Sequence, residues 1–301
     1  MPWTQIHITA GKHDAPFLET LLEGLGALSV TLTDAGDEPQ LEPAPGEEKL
    51  WSETIITGLF DAATNQERLR QAVQQAAASQ NIQLTIDTEL LQDQPWERAW
   101  MENFHPMRFG EKLWVVPRGE HPPHDAQDAV TMMLDPGLAF GTGTHPTTSL
   151  CLQWLDGVDL HGRSVIDYGC GSGILGIAAL LLGAKSVTGI DHDPQALTAS
   201  RQNADENGVI QQLALLPAGE PVNKQCDILV ANILASVLVE LATLLTGMVK
   251  PEGKIALSGI LHDQAEMVQQ AYQGNFKLDP PQQMDDWILI TGKRLPQPSI
   301  D

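Results

Sequence analysis

The sequence predicts an α/β protein of two domains, a smaller α+β domain followed by a larger domain built around a parallel sheet. The chain has 301 residues, which is long for one compact domain. The first third changes between strand and helix patterns in the order βαββαβ. From about residue 126, strand patterns alternate with helix patterns, which is typical of a parallel sheet covered by helices on both faces.

The first domain, residues 1–91, is predicted to be ferredoxin-like, because βαββαβ is the order of the split βαβ arrangement. Its strands show alternating apolar residues and its helices show apolar residues at helical spacing. The strands are predicted at 3–9, 28–33, 51–60 and 82–86, and the helices from Asp14 onward and over 65–79. No convergent catalytic set occurs in this domain, so its expected task is recognition.

Residues 92–125 are predicted to form an interdomain linker with some ordered structure. Three tryptophans and several prolines crowd this stretch, which ends near the pair His121 and His124. The two histidines have no carboxylate or cysteine at metal-ligand spacing. A proline-stiffened loop is therefore the preferred interpretation, and no metal site is predicted.

The second domain, residues 126–301, is predicted to have a Rossmann-like α/β fold. Its elements alternate regularly along the chain. Strands are predicted at 164–168, 186–190, 227–231, 254–258 and 287–291, and helices at 174–182, 194–207, 234–248 and 262–273. Ligands of such sheets bind at the carboxyl ends of the strands.

A glycine-rich loop follows the first of these strands. Asp167 ends the strand, and Gly169, Gly171 and Gly173 follow at every second position. Glycines let the backbone turn sharply and approach a ligand closely. Asp191 ends the next strand, where a carboxylate can accept the hydroxyl groups of a ribose. The loop therefore predicts a nucleoside-binding site.

The residues of this site fit two different cofactors. Residues 171–176 also read G-x-G-x-x-G, the pattern of a dinucleotide-binding dehydrogenase. Asp167, directly ahead of the glycines, would repel a pyrophosphate but attract an ammonium group. S-adenosylmethionine carries an amine, a sulfonium and a ribose but no phosphate. We therefore expect S-adenosylmethionine, with Asp167 facing its amine.

Asn232 follows the predicted strand 227–231. We expect it to contact the group that accepts the methyl group. Methyl transfer to nitrogen needs a neutral amine whose lone pair points at the methyl group. An Asn carbonyl oxygen can accept the amine's hydrogen atoms and orient that lone pair. The alternative is that Asn232 only caps the following helix.

Residues 135–148 contain three glycines and four threonines and are predicted to be a loop that closes over a ligand. A simple helix start capped by Thr147 or Thr148 is the alternative. His145 could serve as a base, although a single loop histidine is more often a polar contact.

Charge and cysteine content narrow the function further. The net charge is −22, which disfavours nucleic acid, since each phosphate contact needs a Lys or Arg, and favours a basic partner. Three scattered cysteines argue against a disulfide framework. The chain shows neither a signal peptide nor an apolar run of membrane-spanning length, so a cytoplasmic protein without membrane contact is expected.

These motifs together resemble the bacterial methyltransferases of ribosomal protein L11, members of the class I S-adenosylmethionine-dependent superfamily. The resemblance rests chiefly on the threonine-rich stretch 137–148, the glycine loop 167–173 and residues 231–234. The opening residues 1–3 and the segments 96–100 and 103–107 also match. The threonine-rich stretch is the most specific of these motifs.

The resemblance implies a ferredoxin-like substrate-recognition domain, a linker and a class I methyltransferase domain. It implies methylation of lysine side chains and of the N-terminal α-amine of ribosomal protein L11. The family's cofactor contacts correspond to Thr148, Gly169, Asp191 and Asn232. Three positions depart from the expected pattern, namely Pro95, Tyr168 and His192.

Other hypotheses remain open at this point. The enzyme could methylate another protein, a small-molecule amine or a nucleic acid, although the acceptor motif Asn-Ile-Leu differs from the Asn-Pro-Pro-aromatic motif used on planar nitrogens. It could also be a nicotinamide dehydrogenase. A non-catalytic module that only binds the cofactor would keep its biological effect when Asn232 is replaced by Ala.

Overall fold

The computed structural model describes residues 2–36, 51–91, 105–123, 128–134, 145–222 and 224–296. The chain divides into two compact units, Met1–Ala99 and Trp100–Asp301. Among the helices within these described ranges, none combines the length and apolar character needed to cross a bilayer.

The first unit is a four-stranded antiparallel sheet with two helices. Its elements are β1 (Trp3–Gly11), α1 (Ala15–Gly24), β2 (Ser29–Asp34), β3 (Glu53–Asp61), α2 (Gln66–Ser79) and β4 (Thr85–Leu91). The strand order is β2-β3-β1-β4, and all neighbours are antiparallel. This is the arrangement that the βαββαβ order predicts, so the ferredoxin-like fold is confirmed.

The core of the first unit lies between one face of this sheet and the two helices. Alternation along the strands sends every second side chain to that face, and apolar residues at helical spacing complete it. The principal buried residues are Ile6, Ile8, Leu18, Leu22, Ile56, Phe60, Leu69 and Val73. Each such side chain contributes about 1.5–3 kcal/mol of hydrophobic free energy.

The second unit begins with a small three-stranded sheet, two strands of which lie inside the segment predicted as a linker. Its strands are β5 (Met107–Phe109), β6 (Leu113–Val116) and β7 (Val130–Met133). Phe109, Leu113 and Val115 are buried in the core of this unit. The structure therefore assigns residues 105–123 to the second unit, whereas we expected the linker to extend to 125. Residues 92–104 lie outside the described residues.

The large sheet holds eight strands. They are β8 (Ser164–Tyr168), β9 (Ser186–Asp191), β10 (Leu213–Pro217), β11 (Cys226–Asn232), β12 (Val249–Leu261), β13 (Phe276–Leu278), β14 (Gln282–Met284) and β15 (Trp287–Arg294). The strand order is β10-β9-β8-β11-β12-β15-β13, with β14 paired to β15. Strands β8 to β12 are mutually parallel.

We expected a parallel sheet, but one edge of the sheet is antiparallel. Strand β15 pairs antiparallel with β12, β13 and β14. The short segments β13, β14 and β15 follow one another with only brief connections, and a hairpin-like connection forces neighbouring strands to run antiparallel. The Rossmann-like part of the prediction is confirmed for the five strands that carry the predicted ligand site.

Helices cover both faces of the large sheet. They are α3 (Pro146–Gly157), α4 (Ile174–Leu181), α5 (Pro194–Glu206), α6 (Ala235–Glu240), α7 (Ala242–Met248) and α8 (Ala265–Tyr272). Helices α3, α4 and α5 share one apolar core with the sheet, and α6, α7 and α8 share the other. The predicted helix 234–248 is thus two short helices that meet at Leu241.

Helix α3 is tied to the β5–β6 turn by the carboxylate of Asp156. The backbone amide of Glu111 donates to Oδ2 at 2.5 Å, and that of Leu113 donates to Oδ1 at 2.9 Å. The amide of Lys112 lies within 3.3 Å of both oxygens. One side chain therefore satisfies three amides of the turn and fixes the C-terminal end of α3.

We expect Asp156→Ala to lower the free energy of unfolding by about 2 kcal/mol, because hydrogen bonds to charged groups are worth about 1.5–3 kcal/mol. Urea denaturation followed by circular dichroism measures this loss. Asp205→Ala removes an exposed carboxylate from α5 and is the matched control. Equal stability of the two variants would contradict the assigned role of Asp156.

Candidate functional site

The carboxyl ends of β8, β11 and β9 bring three predicted site regions to one edge of the large sheet. These strands are adjacent and parallel, so Tyr168, Asn232 and Asp191 end at the same side. The glycine loop begins directly after β8. The predicted site residues lie far apart in the chain but come together at this edge of the sheet.

The glycine loop has a backbone that favours glycine at all three predicted positions. The φ angles are +76° at Gly169, +53° at Gly171 and +82° at Gly173, a region that other L residues enter at a cost. A Cβ added to Gly169 would lie 2.3 Å from Cγ2 of Ile233. The loop is therefore folded tightly against the residue that follows Asn232.

Helix α5 holds the glycine loop from behind through two side chains. Ser200 Oγ donates to the carbonyl of Gly171 at 2.8 Å, and Asn203 Nδ2 donates to the carbonyl of Ser172 at 2.8 Å. Both side chains are buried. Sequence reasoning did not identify these residues, although polar residues three apart on the buried face of a helix could have indicated them.

Asp191 connects the second strand to the loop. Its Oδ2 accepts the amide of Gly171 at 2.9 Å, and its Oδ1 accepts the amide of Asp193 at 3.0 Å. The residue is 7% exposed. A carboxylate has about four lone-pair positions, so these two bonds fix its orientation and leave acceptor capacity for ribose hydroxyls.

Asp167 has a different place from the one expected. Its side chain is 1% exposed, and its Oδ2 accepts the amide of Gly176 in α4 at 2.8 Å. Oδ1 is buried without a hydrogen-bond partner among the described residues. The contact between Asp167 and a ligand amine therefore stays a prediction, and the carboxylate is buried rather than open to solvent. Asp167 instead joins the end of β8 to the start of α4.

Burial raises the pKa of the Asp167 carboxyl to about 7. The hydrogen bond from the Gly176 amide lowers this pKa, and the negative charge of Asp191 raises it further. Desolvation disfavours the charged form of a carboxyl group. Near neutral pH this carboxyl group therefore titrates, although an ordinary aspartate would be fully ionised.

Asn232 contacts Thr148 directly. Its Nδ2 donates to Thr148 Oγ1 at 3.2 Å. The two residues come from β11 and α3, and Thr148 is buried while Asn232 is partly exposed. This hydrogen bond fixes the amide plane of Asn232 and directs its Oδ1 away from Thr148.

Thr148 lies in the first turn of α3, so the helix-start alternative is correct for residues 145–148. The cap is His145, whose Nδ1 accepts the amide of Thr147 at 3.4 Å and contacts Thr147 Oγ1 at 2.8 Å. Neither threonine is the cap. Residues 135–144, for which we predict closure over a ligand, lie outside the described residues.

The His145 ring packs edge-on against Trp287, with 4.8 Å between ring centroids and 68° between ring planes. Burial lowers the pKa of His145, which favours the neutral imidazole. Trp287 begins β15 opposite Leu261. Sequence reasoning placed Trp287 only in a terminal strand, because nothing in the local pattern indicates that this strand borders the site.

Two of the three departures from the expected pattern, Tyr168 and His192, lie within the described residues. Tyr168 is partly buried at the end of β8. His192 is exposed, and its Nδ1 lies 3.4 Å from Asp191 Oδ1. Pro95 lies outside the described residues. Cys170, within the loop, is buried, which raises the pKa of its thiol to about 12 and disfavours a reactive thiolate.

We expect Asp167→Asn to change the pH dependence of stability. Because the folded-state pKa of Asp167 is raised, the unfolded chain ionises first, and the wild type loses stability as pH rises from about 4 to about 7. The penalty is fully present above the folded pKa and is worth about 1.4 kcal/mol per pKa unit. Asp167→Asn removes it.

Urea denaturation of both proteins between about pH 4 and about pH 8 measures this effect. The stability of the wild type relative to Asp167→Asn should fall across the range. A difference that stays constant with pH would contradict a protonated Asp167 in the folded state.

Comparison with known proteins assigns a family to the chain. The family model described as ribosomal protein L11 methyltransferase (PrmA) matches residues 2–295. A ribosomal protein L11 methyltransferase of Sodalis glossinidius is 53% identical over 98% of this chain and 100% of its own length. That of Marinobacter nauticus is 52% identical over 98% of this chain and 99% of its own length.

A solved structure agrees with this family. The crystal structure of the ribosomal protein L11 methylase from Lactobacillus delbrueckii subsp. bulgaricus is 34% identical to this chain. It covers 64% of this chain and 100% of its own, with a TM-score of 0.59. These relationships exclude the dehydrogenase alternative. The chain belongs to the ribosomal protein L11 methyltransferase family.

Proposed function

We propose that the protein transfers methyl groups from S-adenosylmethionine to lysine side-chain amines and the N-terminal α-amine of ribosomal protein L11. The chain belongs to a family of S-adenosylmethionine-dependent methyltransferases. The observation that supports amine chemistry best is the Asn232–Thr148 hydrogen bond beside the glycine loop. This hydrogen bond fixes the orientation of the Asn232 amide oxygen at the edge of the sheet where the nucleoside is expected to bind.

The residues at this edge fit S-adenosylmethionine. Gly169, Gly171 and Gly173 shape the loop without side chains, and Asp191 is oriented to accept ribose hydroxyls. Thr148 and Asn232 complete the set that would hold the cofactor. When bound, the cofactor supplies a methyl group on a positively charged sulfur.

The acidic interior supports a cationic cofactor. Asp167 is buried at the start of the loop, and the negative charge of Asp191 helps to raise its pKa. A buried carboxyl with a raised pKa is stabilised in its charged form by a nearby cation. A cationic cofactor at the loop would therefore stabilise the charged form of Asp167, and Asp167 belongs to the proposed cofactor site.

Asn232 orients the acceptor amine. Its Nδ2 donates to Thr148 Oγ1, so Oδ1 is left to accept a hydrogen bond from the neutral amine. This hydrogen bond directs the nitrogen lone pair toward the methyl carbon. Correct alignment of the lone pair lowers the barrier for an in-line displacement. The amine loses a proton to solvent before attack, and no strong general base is required.

The neutral His145 imidazole is consistent with this chemistry. Burial lowers its pKa, so at neutral pH it adds no positive charge beside Thr148. A charged imidazolium would repel both an acceptor ammonium group and a cationic cofactor. His145 thus stabilises the start of α3 without repelling the acceptor amine or the cofactor.

The protein substrate is proposed from the family name and from charge. Proteins that bind ribosomal RNA present basic surfaces, and a chain with net charge −22 attracts them. We propose that the first unit recognises this substrate and that the protein acts in the cytoplasm. The same charge argues against direct binding of nucleic acid.

We expect Asn232→Ala to lower the single-turnover rate of methyl transfer to ribosomal protein L11 by at least about 100-fold at saturating cofactor. The loss follows from a misaligned amine. Rapid-quench kinetics with labelled S-adenosylmethionine measures this rate. Asn275→Ala, which removes an exposed Asn near β13, is the control and should keep the wild-type rate.

Asn232→Asp keeps an oxygen acceptor at the position of Oδ1 and should retain more activity than Asn232→Ala. Full activity of Asn232→Ala at saturating cofactor would contradict the role of the amide oxygen. In that case, Asn232 would serve only to hold Thr148 at the start of α3, since Leu234 and not Asn232 caps the helix that follows.

A further inference from the structure

Strand β12 carries a β-bulge beside the candidate site. Two of its residues, Ser258 and Gly259, lie opposite a single residue of β15, because the pairing of the two strands shifts between Leu257 and Ile260. Bulges bend a strand and occur often next to active sites, where they redirect nearby groups. On its other side β12 pairs with β11, and the last pair of that ladder is Ser258 with Asn232. The bulge therefore lies directly beside the end of β11.

The bulge requires glycine at position 259. The φ angle of Gly259 is +81°, in the left-handed region that other L residues enter at a cost. A Cβ added there would lie 2.3 Å from the carbonyl oxygen of Ile233 and 2.8 Å from its carbonyl carbon. These are backbone atoms, so they cannot rotate away as the end of a side chain can. A side chain at 259 would therefore displace the backbone of Ile233.

Ile233 is held between the bulge and the glycine loop. Its backbone amide donates to the carbonyl of Ser258 at 3.2 Å. Its Cγ2 fills the space beside Gly169, where an added Cβ would lie 2.3 Å away. The residue that directly follows Asn232 is thus in close contact with β12 on one side and with the loop on the other.

Ser258 ties the bulge to the next strand. Its Oγ donates to the carbonyl of Ile288 in β15 at 3.2 Å, and its side chain is fully buried. A buried hydroxyl that lost this partner would pay a desolvation cost, which favours one arrangement of the bulge. The bulge is therefore fixed to both neighbouring strands, to β11 through Ile233 and to β15 through Ile288.

These contacts bear on the position of Asn232. An in-line displacement tolerates little error, and a misplacement of about 1 Å can slow a reaction about 100-fold. The hydrogen bond to Thr148 fixes the amide plane of Asn232 but leaves the location of its backbone to the residues around it. Ile233 supplies this second constraint, because its own backbone is fixed by the bulge.

We propose that the bulge at Ser258 and Gly259 positions Asn232 for methyl transfer by fixing the backbone of Ile233 against the glycine loop. Gly259 is a positioning residue, since it acts through Ile233. Ile233 in turn sets the distance between the Asn232 amide and the loop that shapes the cofactor site. This inference rests on the proposed role of Asn232 in orienting the acceptor amine.

The test is Gly259→Ala in the full chain, measured as the single-turnover transfer of label to ribosomal protein L11 at saturating cofactor. The rate should fall at least about tenfold, because the added methyl group displaces Ile233 and with it Asn232. Gly208→Ala is the matched control. Gly208 also has a positive φ, +70°, but an added Cβ would meet no other atom within 4 Å in the described part of the chain. This control introduces similar backbone strain and should keep the wild-type rate within about twofold.

A double-mutant cycle with Asn232→Ala separates positioning from a general structural role. If the bulge acts through the Asn232 amide, adding Gly259→Ala to Asn232→Ala should lower the rate by less than about a further twofold. Losses that multiply would overturn the proposal, and so would equal rates in Gly259→Ala and Gly208→Ala.

Ser258→Ala decides the question if Gly259→Ala does not fold. It removes only the Oγ hydrogen bond across the bulge, and its rate should fall by about threefold, again only while Asn232 is present. A wild-type rate, or an equal loss in the Asn232→Ala background, would overturn the proposal in that case.

Nuclear magnetic resonance of protein with isotope-labelled asparagine separates this proposal from the proposed function. The side-chain amide signal of Asn232, assigned by its loss in Asn232→Ala, should shift in Gly259→Ala but not in Gly208→Ala. Such a shift, in a protein whose wild type methylates no amine of ribosomal protein L11, would support the positioning role and refute the proposed function. An unshifted signal, with amine methylation by wild type, would do the reverse.

Discussion

The hydrogen bond between the Gly171 amide and the Asp191 carboxylate connects the ends of two adjacent strands and fixes the loop on which the site depends. The loop can occupy this position because its glycines adopt left-handed backbone angles. Ser200 and Asn203 of α5 then bind its carbonyl groups from behind. A preorganised loop of this kind binds a ligand without first being ordered.

The other half of the site depends on the same sheet edge. Strand β11 ends beside β8, so Asn232 and Ile233 lie against the loop. Helix α3 brings Thr148 to Asn232, and Asp156 at the far end of α3 anchors that helix to the β5–β6 turn. The small three-stranded sheet therefore contributes to the site indirectly, by fixing the helix that orients the acceptor amide.

Much of this arrangement was accessible from the sequence because the signals are local. The regular succession of strand and helix patterns predicted the strands that end at the loop, and the spacing of Gly169, Gly171 and Gly173 predicted a close backbone approach. The βαββαβ order predicted the first unit. The antiparallel strands β13 to β15 were harder, because two of them have only three residues each and show no usable period.

Side-chain direction was the main point that the sequence could not supply. Asp167 precedes the glycines and was expected to face a ligand, but the turn after β8 directs its carboxylate toward α4. His145 was expected to be a loop residue and instead caps α3. Both outcomes depend on contacts between segments far apart in the chain. Methyl transfer to amine nitrogens of ribosomal protein L11 is tested most directly by mass spectrometry of that protein after reaction with labelled S-adenosylmethionine. Label confined to lysine side chains and the N-terminal α-amine is the predicted result, whereas absence of label, or label on oxygen or guanidinium groups, would contradict it.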